Sequence, residues 1–180
     1  KVEMILAAGG GSVLDSSKSA DAGAAKQCDP WEFSSGARVL EKSLPVGAVL
    51  TIAAAGSEMS DSCVITNEEG WLKRGFNSDH NRPLFAIMNP ELTYTVSKYQ
   101  TACGVPDIMM PTLERYFCMN GDVALTDHLA EGLLRSVIEA GKVVMDKPDD
   151  YEARATLMWA SSLSHNGLTG CGRNFMMRCH

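Results

Sequence analysis

The sequence predicts an α/β part built on a parallel sheet, followed by an all-α part. In the first half, short apolar runs alternate with turns that contain glycine or proline. One such run, residues 2–8, leads directly into three glycines and then into a segment with helical periodicity. In the second half, apolar residues recur at helical spacing almost without interruption. We therefore place the boundary near residues 94–104 and divide the chain into parts 1–95 and 96–180.

Three apolar runs in the first half predict the strands of the sheet. Residues 2–8 are nearly all apolar, so we expect this strand to be buried on both faces. A helix should follow over residues 12–25, and "VGAVLTIAA" at residues 46–54 predicts the second strand. The run "PLFAIMNP" at residues 83–90 ends in proline and predicts a third strand. Between the last two runs, "SCVITNEEG" and "LKRGF" predict a β-hairpin that turns at residues 67–70.

Two long segments of the second half predict helices. In residues 126–146, apolar side chains recur every three or four positions and form one stripe that should face a core. Residues 149–168 repeat this arrangement. Thr126 and Asp149 carry side chains that are preferred at helix N-termini, so we expect the two helices to begin there.

The composition limits the classes of function. The chain has 180 residues and a formal net charge of −6, and its basic residues are scattered, which disfavours a nucleic-acid partner. The six cysteines form no C-x-x-C pair, which disfavours structural zinc and a disulfide scaffold. No signal peptide or 18-residue apolar run is present, so we expect a cytoplasmic protein without a membrane partner. The chain begins inside a strand-like run and ends without a helix-stop signal, so we expect missing flanks.

Three consecutive glycines, Gly9, Gly10 and Gly11, separate the first strand from the first helix. Backbone amides at a helix N-terminus bind anions, and glycines let a pyrophosphate approach them closely. Ser12 could cap the helix or donate to a phosphate oxygen, and with Asp15 it forms an S-x-x-D capping pattern. The run matches neither G-x-G-x-x-G nor the Walker A pattern. From these residues alone, a phosphate-binding turn and a purely structural turn are equally supported.

A second candidate segment is "TIAAAGSEMSDS", residues 51–62, where the second strand runs into small and hydroxylated residues. In an open parallel sheet, ligands bind beyond the carboxyl ends of the strands, so two such strand ends could flank one nucleotide. The alternative is an ordinary serine-rich turn. The pairing of this segment with the glycine run favours nucleotide binding more than either segment does alone.

Oxygen and imidazole groups that could bind a metal are spread over the helical half. No H-E-x-x-H or D-x-x-x-H spacing connects them. Asp107 is followed four residues later by Pro111, so that helical face offers no second ligand. A solvated position for His128 and a packed or capping position for His165 are favoured over metal binding. The candidates are Asp107, Glu114, Asp122, Asp127, His128, His165 and His180.

Seven blocks of the sequence together resemble a known family. In chain order they are "GGGSVLDSSK", "LPVGAVLTIAAAGSEMS", "NEEGWLKRGF", "NPELTYTVSKYQTACGVPDIM", "LERYF", "LTDHLAEGLLR" and "WASSLSHNGLTGCGR". The chain resembles the iron-containing, group III alcohol dehydrogenases, and most closely their butanol dehydrogenase branch. The likeness spans nearly the whole chain, and so many ordered blocks make it specific.

The resemblance implies a dehydroquinate synthase-like fold with an N-terminal α/β domain that binds NAD(P). A C-terminal helical domain holds one divalent metal, Fe²⁺ or Zn²⁺, and the active site lies between the domains. By this comparison the chain is an internal piece, and the missing N-terminal part would choose between NAD and NADP. The matching cofactor positions are Gly10, Gly11, Ser12 and Asp15 at the pyrophosphate, Thr51, Ser60 and Ser62 on the nicotinamide side, and Lys73.

The same resemblance implies an incomplete set of metal ligands. The family uses one aspartate and three histidines, of which Asp107 matches the aspartate and His180 one histidine. Pro111 occupies the position of another ligand, and the fourth would follow the end of the chain. We therefore expect this chain alone to bind little metal and to show little or no turnover. The resemblance assigns no catalytic residue.

The implied activity is NAD(P)-dependent oxidation of short-chain primary alcohols such as butanol, or the reverse reduction of aldehydes. The metal would polarise the alcohol oxygen, and hydride would pass to the nicotinamide. The expected partners are a small alcohol or aldehyde and, for the full-length protein, a second copy in a homodimer. The alternative is a non-catalytic nucleotide-binding or interaction protein that has lost its metal site.

Overall fold

The computed structural model describes residues 2–118 and 122–173, and its tertiary contacts define two compact units. The first unit contains the described residues up to Leu50 together with Ser57–Ile87, and the second contains Thr51–Gly56 and the described residues from Met88 onward. The first unit is α/β and the second is helical. The division at residues 95 and 96 concerns the domains of the family and stays a prediction.

Five strands lie in the first unit. They are β1 Ile5–Gly9, β2 Val46–Leu50, β3 Ser62–Asn67, β4 Leu72–Asn77 and β5 Phe85–Ile87. Strands β1, β2 and β5 form a parallel sheet in the order β1-β2-β5, with Ile5 opposite Val46 and Ala48 opposite Ala86. Parallel strands joined through a helix are the arrangement that the sequence predicts, so the α/β fold class is confirmed.

Two details of the predicted strands are wrong. Burial alternates along β1, and Leu6 is 57% exposed, so within the described part of the chain this strand is not buried on both faces. The strand β2 ends at Leu50 rather than at residue 54. The reason is that Thr51–Gly56 leave the sheet and pack with the helical unit.

The first helix, α1 Gly11–Lys26, directly follows the glycine turn. Its N-cap is Gly10, which makes no side-chain capping hydrogen bond. Of the two roles considered for Ser12, helix capping is ruled out, because the helix begins one residue before it. One face of α1 is fully buried and contains Leu14, Lys18 and Ala22 at intervals of four residues. A lysine in the middle of this stripe is unusual, because lysine is among the residues least often buried.

The predicted β-hairpin is confirmed. Strands β3 and β4 pair antiparallel, with Cys63 opposite Phe76. The turn between them contains Gly70 and Trp71, whose φ angles of 83° and 53° are both left-handed. A short helix, α2 Trp31–Ser34, adds Phe33 to a small core, where its ring lies 5.7 Å from that of Phe76.

Three long helices form most of the second unit. They are α3 Lys98–Tyr116, α4 Ala124–Asp146 and α5 Tyr151–His165. Their shared core includes Ile108 of α3, Val137 and Val144 of α4, and Leu157 of α5. None of the helices in the described ranges combines the length and apolar character needed to cross a membrane.

Both predicted starts of the later helices are displaced. Helix α4 begins two residues before Thr126, whose hydroxyl donates instead to the carbonyl oxygen of Cys171 at 3.0 Å. The N-cap of α5 is Asp150 rather than Asp149, and its carboxylate accepts a hydrogen bond from the amide of Ala153 at 3.0 Å. Adjacent capping residues cannot be ranked from the sequence when both are aspartate.

Glycine lets the segment Thr51–Gly56 approach two helices of its own unit. A Cβ at Gly104 in α3 would lie 2.6 Å from the carbonyl oxygen of Ala53. A Cβ at Gly56 would overlap the carbonyl oxygen of Ser161 in α5 and lie 2.8 Å from Cβ of His165. The φ angle of Gly56 is also left-handed, at +63°. These two contacts fix the residues that follow β2 against α3 and α5.

Candidate functional site

The glycine turn lies at the carboxyl end of β1 and forms the N-terminus of α1. The amides of Val13 and Leu14 both donate to the carbonyl oxygen of Gly10 at 3.1 Å, so the amides of Gly11 and Ser12 precede the first intrahelical bonds. No acidic residue lies in the first turn of the helix. A Cβ at Gly9 would lie 2.6 Å from Cγ2 of Val13. The turn is therefore compact. The amides of Gly11 and Ser12 lie at the positive end of a 16-residue helix, which is an arrangement that binds anions.

The carboxylate of Asp15 is held by protein donors. Its Oδ1 accepts a hydrogen bond from the hydroxyl of Ser57 at 2.5 Å, and its Oδ2 accepts from the amide of Val64 at 3.0 Å. These contacts join α1 to the segment before β3 and to β3 itself. The role of Asp15 as a cofactor contact stays a prediction, while its structural role is visible directly.

Lys18 is fully buried one turn after Asp15. Its ammonium group donates to Ser57 Oγ at 2.9 Å and to the carbonyl oxygens of Ser60 and Ser62 at 3.1 and 2.9 Å. The Asp15 carboxylate lies 3.9 Å away. Burial lowers the pKa of Lys18, and the Asp15 charge opposes that effect.

The two serines predicted to line the cofactor contribute mainly backbone groups to this arrangement. Ser60 is 1% exposed, and its hydroxyl accepts a hydrogen bond from the amide of Ser62 at 2.8 Å. Ser62 is the first residue of β3 and is half-buried. The structure therefore brings Asp15, Ser60 and Ser62 together around Lys18, and Gly10, Gly11 and Ser12 lie at the N-terminus of the same helix.

Within the described residues, Thr51 and Lys73 are not members of this hydrogen-bond network. Lys73 is on β4, opposite Thr66, and its side chain is exposed. Thr51 is half-buried and follows β2, in the segment that belongs to the helical unit. Their roles as cofactor contacts stay predictions.

The helical unit carries a groove of its own, with a volume of about 460 Å³. Its polar lining comes from Gln100, Cys103 and Asp107, which share one face of α3, and Ile52 and Ala54 line it from the preceding segment. The carboxylate of Asp107 is half-buried. The groove could therefore accept a small, partly polar ligand.

The described residues do not complete a metal site. Among them no three histidine, cysteine, aspartate or glutamate side chains cluster as metal ligands would. Pro111 is buried within α3, one turn after Asp107. The other predicted ligand, His180, lies outside the described residues. His128 is exposed on α4, and His165 is half-buried at the end of α5.

Sequence reasoning missed Lys18 and Ser57 as members of the site. A signal for Lys18 was available: it lies four residues from both Leu14 and Ala22, on the apolar stripe of α1. A charged residue on a buried stripe requires partners, because an unpaired buried charge is very costly. No comparable signal pointed to Ser57, since serines are common in turns.

A family model and two similar proteins all relate this chain to alcohol dehydrogenases and aldehyde reductases. The family described as iron-containing alcohol dehydrogenase matches residues 1–90, half of the chain. The chain is 45% identical over 179 residues to NADH-dependent butanol dehydrogenase A of Clostridium acetobutylicum, covering 99% of this chain and 46% of that protein. It is 39% identical over 175 residues to NADPH-dependent aldehyde reductase YqhD of Escherichia coli, covering 96% of this chain and 45% of that protein.

A solved structure supports the fold. The crystal structure of NADH-dependent butanol dehydrogenase A from Thermotoga maritima matches with a TM-score of 0.93 and 40% identity. The match covers 96% of this chain and 43% of that one. This chain therefore spans less than half the length of the proteins that it resembles.

Proposed function

Because this chain belongs to the iron-containing alcohol dehydrogenase family, we propose that its α/β unit binds NAD(P) for the interconversion of short-chain primary alcohols and aldehydes. Two of the similar proteins are named as butanol dehydrogenases that depend on NADH, and a third as an aldehyde reductase that depends on NADPH. Butanol or butyraldehyde is the first substrate pair to test.

The observation that carries this proposal is the glycine turn at the N-terminus of α1. Its backbone amides lie at the positive end of a helix, and the first turn contains no carboxylate that would repel a phosphate. The turn also lies at the carboxyl end of β1, which pairs in parallel with β2. Ligands of open parallel sheets bind beyond this edge. A dinucleotide pyrophosphate fits these properties.

The residues of the chain would bind and orient the cofactor. Gly11 and Ser12 would donate amide hydrogen bonds to the pyrophosphate, and Gly10 would leave room for its approach. Ser60 and Ser62 would lie on the nicotinamide side, as would Thr51, and Lys73 would reach the cofactor. A bound nicotinamide supplies the hydride chemistry of this family.

The described residues supply only part of the ligand set that the family uses for its metal. Asp107 supplies a carboxylate on the groove of the helical unit, and Pro111 supplies no ligand. The described donor set therefore does not fit a complete metal site, and we derive no step through the metal. Low turnover by this chain alone, a homodimer of the full-length protein and a cytoplasmic location all stay predictions.

The alternative of a non-catalytic nucleotide-binding or interaction protein is not favoured. The similar proteins are named as dehydrogenases and reductases. A non-catalytic nucleotide-binding protein would also bind the cofactor, whereas a protein that acts only through interactions would not.

A substitution at Ser12 tests the proposal. Ser12 is exposed in the first turn of α1, where aspartate is favourable for the helix but would repel a pyrophosphate. A unit charge placed about 5 Å from the phosphates at an effective dielectric constant of about 40 opposes binding by about 1.7 kcal/mol. We therefore expect Ser12→Asp to raise the Kd for NADH by about tenfold or more, with no loss of thermal stability.

Ser16→Asp is the matched control. Ser16 is also exposed on α1 but lies beyond its first turn. We expect the Kd of this variant to stay within about twofold of the unsubstituted chain, as measured by NADH fluorescence titration. Equal affinity of both variants for NADH would contradict pyrophosphate binding at this turn.

A further inference from the structure

We propose that Lys18 is a positioning residue for the cofactor: its buried ammonium group holds residues 57–62 against α1, in the conformation that receives the nicotinamide side of NAD(P). This inference rests on the proposed function. It concerns a residue that touches no cofactor itself and acts through the segment to which it is bonded.

All three hydrogen bonds of the Lys18 ammonium group go to one segment of the chain. A lysine ammonium has three protons, and those of Lys18 are used by Ser57 Oγ, Ser60 O and Ser62 O, all within 3.1 Å. All three acceptors belong to one segment of six residues, residues 57–62. A single side chain of α1 therefore fixes the course of the chain that enters β3.

Ser57 connects Lys18 to Asp15 through two hydrogen bonds. Its hydroxyl accepts from Lys18 and donates to Asp15, so it lies between the positive and the negative group. Asp15 in turn accepts from the amide of Val64, and Cys63 Sγ donates to the carbonyl oxygen of Asp15 at 3.3 Å. The network thus ties both ends of the 57–62 segment to the helix that begins at the glycine turn.

A lysine on the buried face of α1 is unfavourable for folding in comparison with an apolar residue. Leu14 and Ala22 show that the neighbouring positions on this face of α1 accept apolar residues, and Lys18 is as fully buried as they are. Burial of an ammonium group is unfavourable unless its protons are satisfied. An apolar side chain would fill the space, but it would leave the carbonyl oxygens of Ser60 and Ser62 without this donor. The lysine therefore serves the geometry of the segment.

The pyrophosphate half and the nicotinamide half of the proposed site differ in whether they depend on Lys18. The amides of Gly11 and Ser12 would hold the pyrophosphate and do not depend on Lys18. The segment around Ser60 and Ser62 would contact the nicotinamide side and does depend on it. Loss of Lys18 should therefore weaken binding of the nicotinamide half selectively.

The test compares NADH with ADP-ribose, which carries the pyrophosphate but no nicotinamide. Both Kd values are measured by isothermal titration calorimetry on the 180-residue chain and on Lys18→Met, with circular dichroism to verify that the variant is folded. We expect Lys18→Met to raise the Kd for NADH by about tenfold, the loss of one to two well-placed contacts. The Kd for ADP-ribose should change by less than about twofold.

Two further variants complete the experiment. Lys26→Met is the matched control, because Lys26 lies on the same helix and pairs with exposed Glu41, and it should leave both Kd values unchanged. Ser57→Ala keeps both charges but removes the hydroxyl between them. It should shift the NADH affinity in the same direction by a smaller factor, and it decides the question if Lys18→Met does not fold.

The outcomes are distinct. An unchanged Kd for NADH in the folded variants, or equal weakening of both ligands, would overturn the positioning role, since a general loss of stability would not distinguish the ligands. Failure of the unsubstituted chain to bind either ligand would refute the proposed function, and this inference with it.

Discussion

Replacing Asp21 by asparagine should remove a pH dependence from the stability of the chain. Asp21 is on α1 and fully buried, and its Oδ1 accepts a hydrogen bond from the amide of Leu44 at 2.7 Å. Its Oδ2 has no hydrogen-bond partner in the described part of the chain. Burial raises the pKa of Asp21 from 3.8 to about 7, against the opposing effect of the Leu44 amide.

The size and sign of the effect follow from proton binding. Between pH 3.8 and about 7 the unfolded chain has released this proton while the folded chain retains it. The free energy of unfolding therefore falls as pH rises through this window, by about 1.4 kcal/mol per pH unit. From pH 5 to pH 7 the loss is about 2.3 kcal/mol, because half of the folded molecules have released the proton at pH 7, and by pH 8 it levels off at about 2.6 kcal/mol.

Urea denaturation followed by circular dichroism at pH 5, 6, 7 and 8 measures this dependence. The difference in unfolding free energy between Asp21→Asn and the unsubstituted chain should move by about 2.6 kcal/mol in favour of asparagine across that range. The amide of asparagine can also change the free energy of unfolding, but that change is the same at every pH and does not affect the pH dependence. Glu69→Gln, at an exposed carboxyl in the hairpin turn, is the control and should show no such change.

A parallel pH dependence of Asp21→Asn and the unsubstituted chain would refute the reasoning. It would mean that Asp21 is ionised in the folded state, and that the buried carboxylate finds a partner for Oδ2. Stability that rises with pH through this window, relative to the variant, would reverse the sign and refute it equally.

Two further predictions concern packing and reactivity. Gly56→Ala should lower the unfolding free energy by about 3 kcal/mol or more, because a left-handed φ of +63° and overlap with Ser161 act together. Gly167→Ala, at a φ of +97° in open space, should lose only about 1–2 kcal/mol in the same urea experiment. Iodoacetamide should label exposed Cys103 at pH 8 and leave Cys63 unmodified until the chain unfolds, because burial raises the pKa of Cys63 to about 12. Peptide mass spectrometry checks this order, and early labelling of Cys63 would contradict it.

The strands of the sheet and the long helices were predictable where one physical signal dominated. The apolar runs before residues 9 and 51 gave β1 and β2, and the hairpin followed from two strand-like runs around Gly70. The apolar stripe through Val137 gave α4. In each case local pattern and tertiary packing agree, which is the condition under which sequence patterns are reliable.

The sequence predicts a helical turn at residues 107–111 but not the bounds of α3, which contains two prolines. Pro106 and Pro111 each remove an amide donor, yet the helix runs through both of them. The N-cap Ser97, whose hydroxyl accepts from the amide of Gln100 at 3.2 Å, and the burial of Ile108 in the core offset that loss. Tertiary packing of this kind cannot be judged from local propensity.

The part of the candidate site that a local sequence pattern encodes was predictable, and the part that depends on distant contacts was not. The glycine turn follows from the order of strand, glycines and helix, so its residues were identified in advance. The contacts of Lys18 with Ser60 and Ser62 span more than 40 residues of sequence, and no local pattern encodes them. The resemblance to a family supplied the serines, whereas the lysine that holds them required the structure.

The most direct measurement of the central claim is a titration of the ¹⁵N-labelled chain with NADH, followed by the backbone amide resonances of Gly10, Gly11 and Ser12. Binding of the pyrophosphate at the N-terminus of α1 predicts that these amides show the largest saturable shifts, in parallel with the affinity measured by fluorescence. Saturable shifts confined to other parts of the chain, with these three amides unmoved, would contradict the claim.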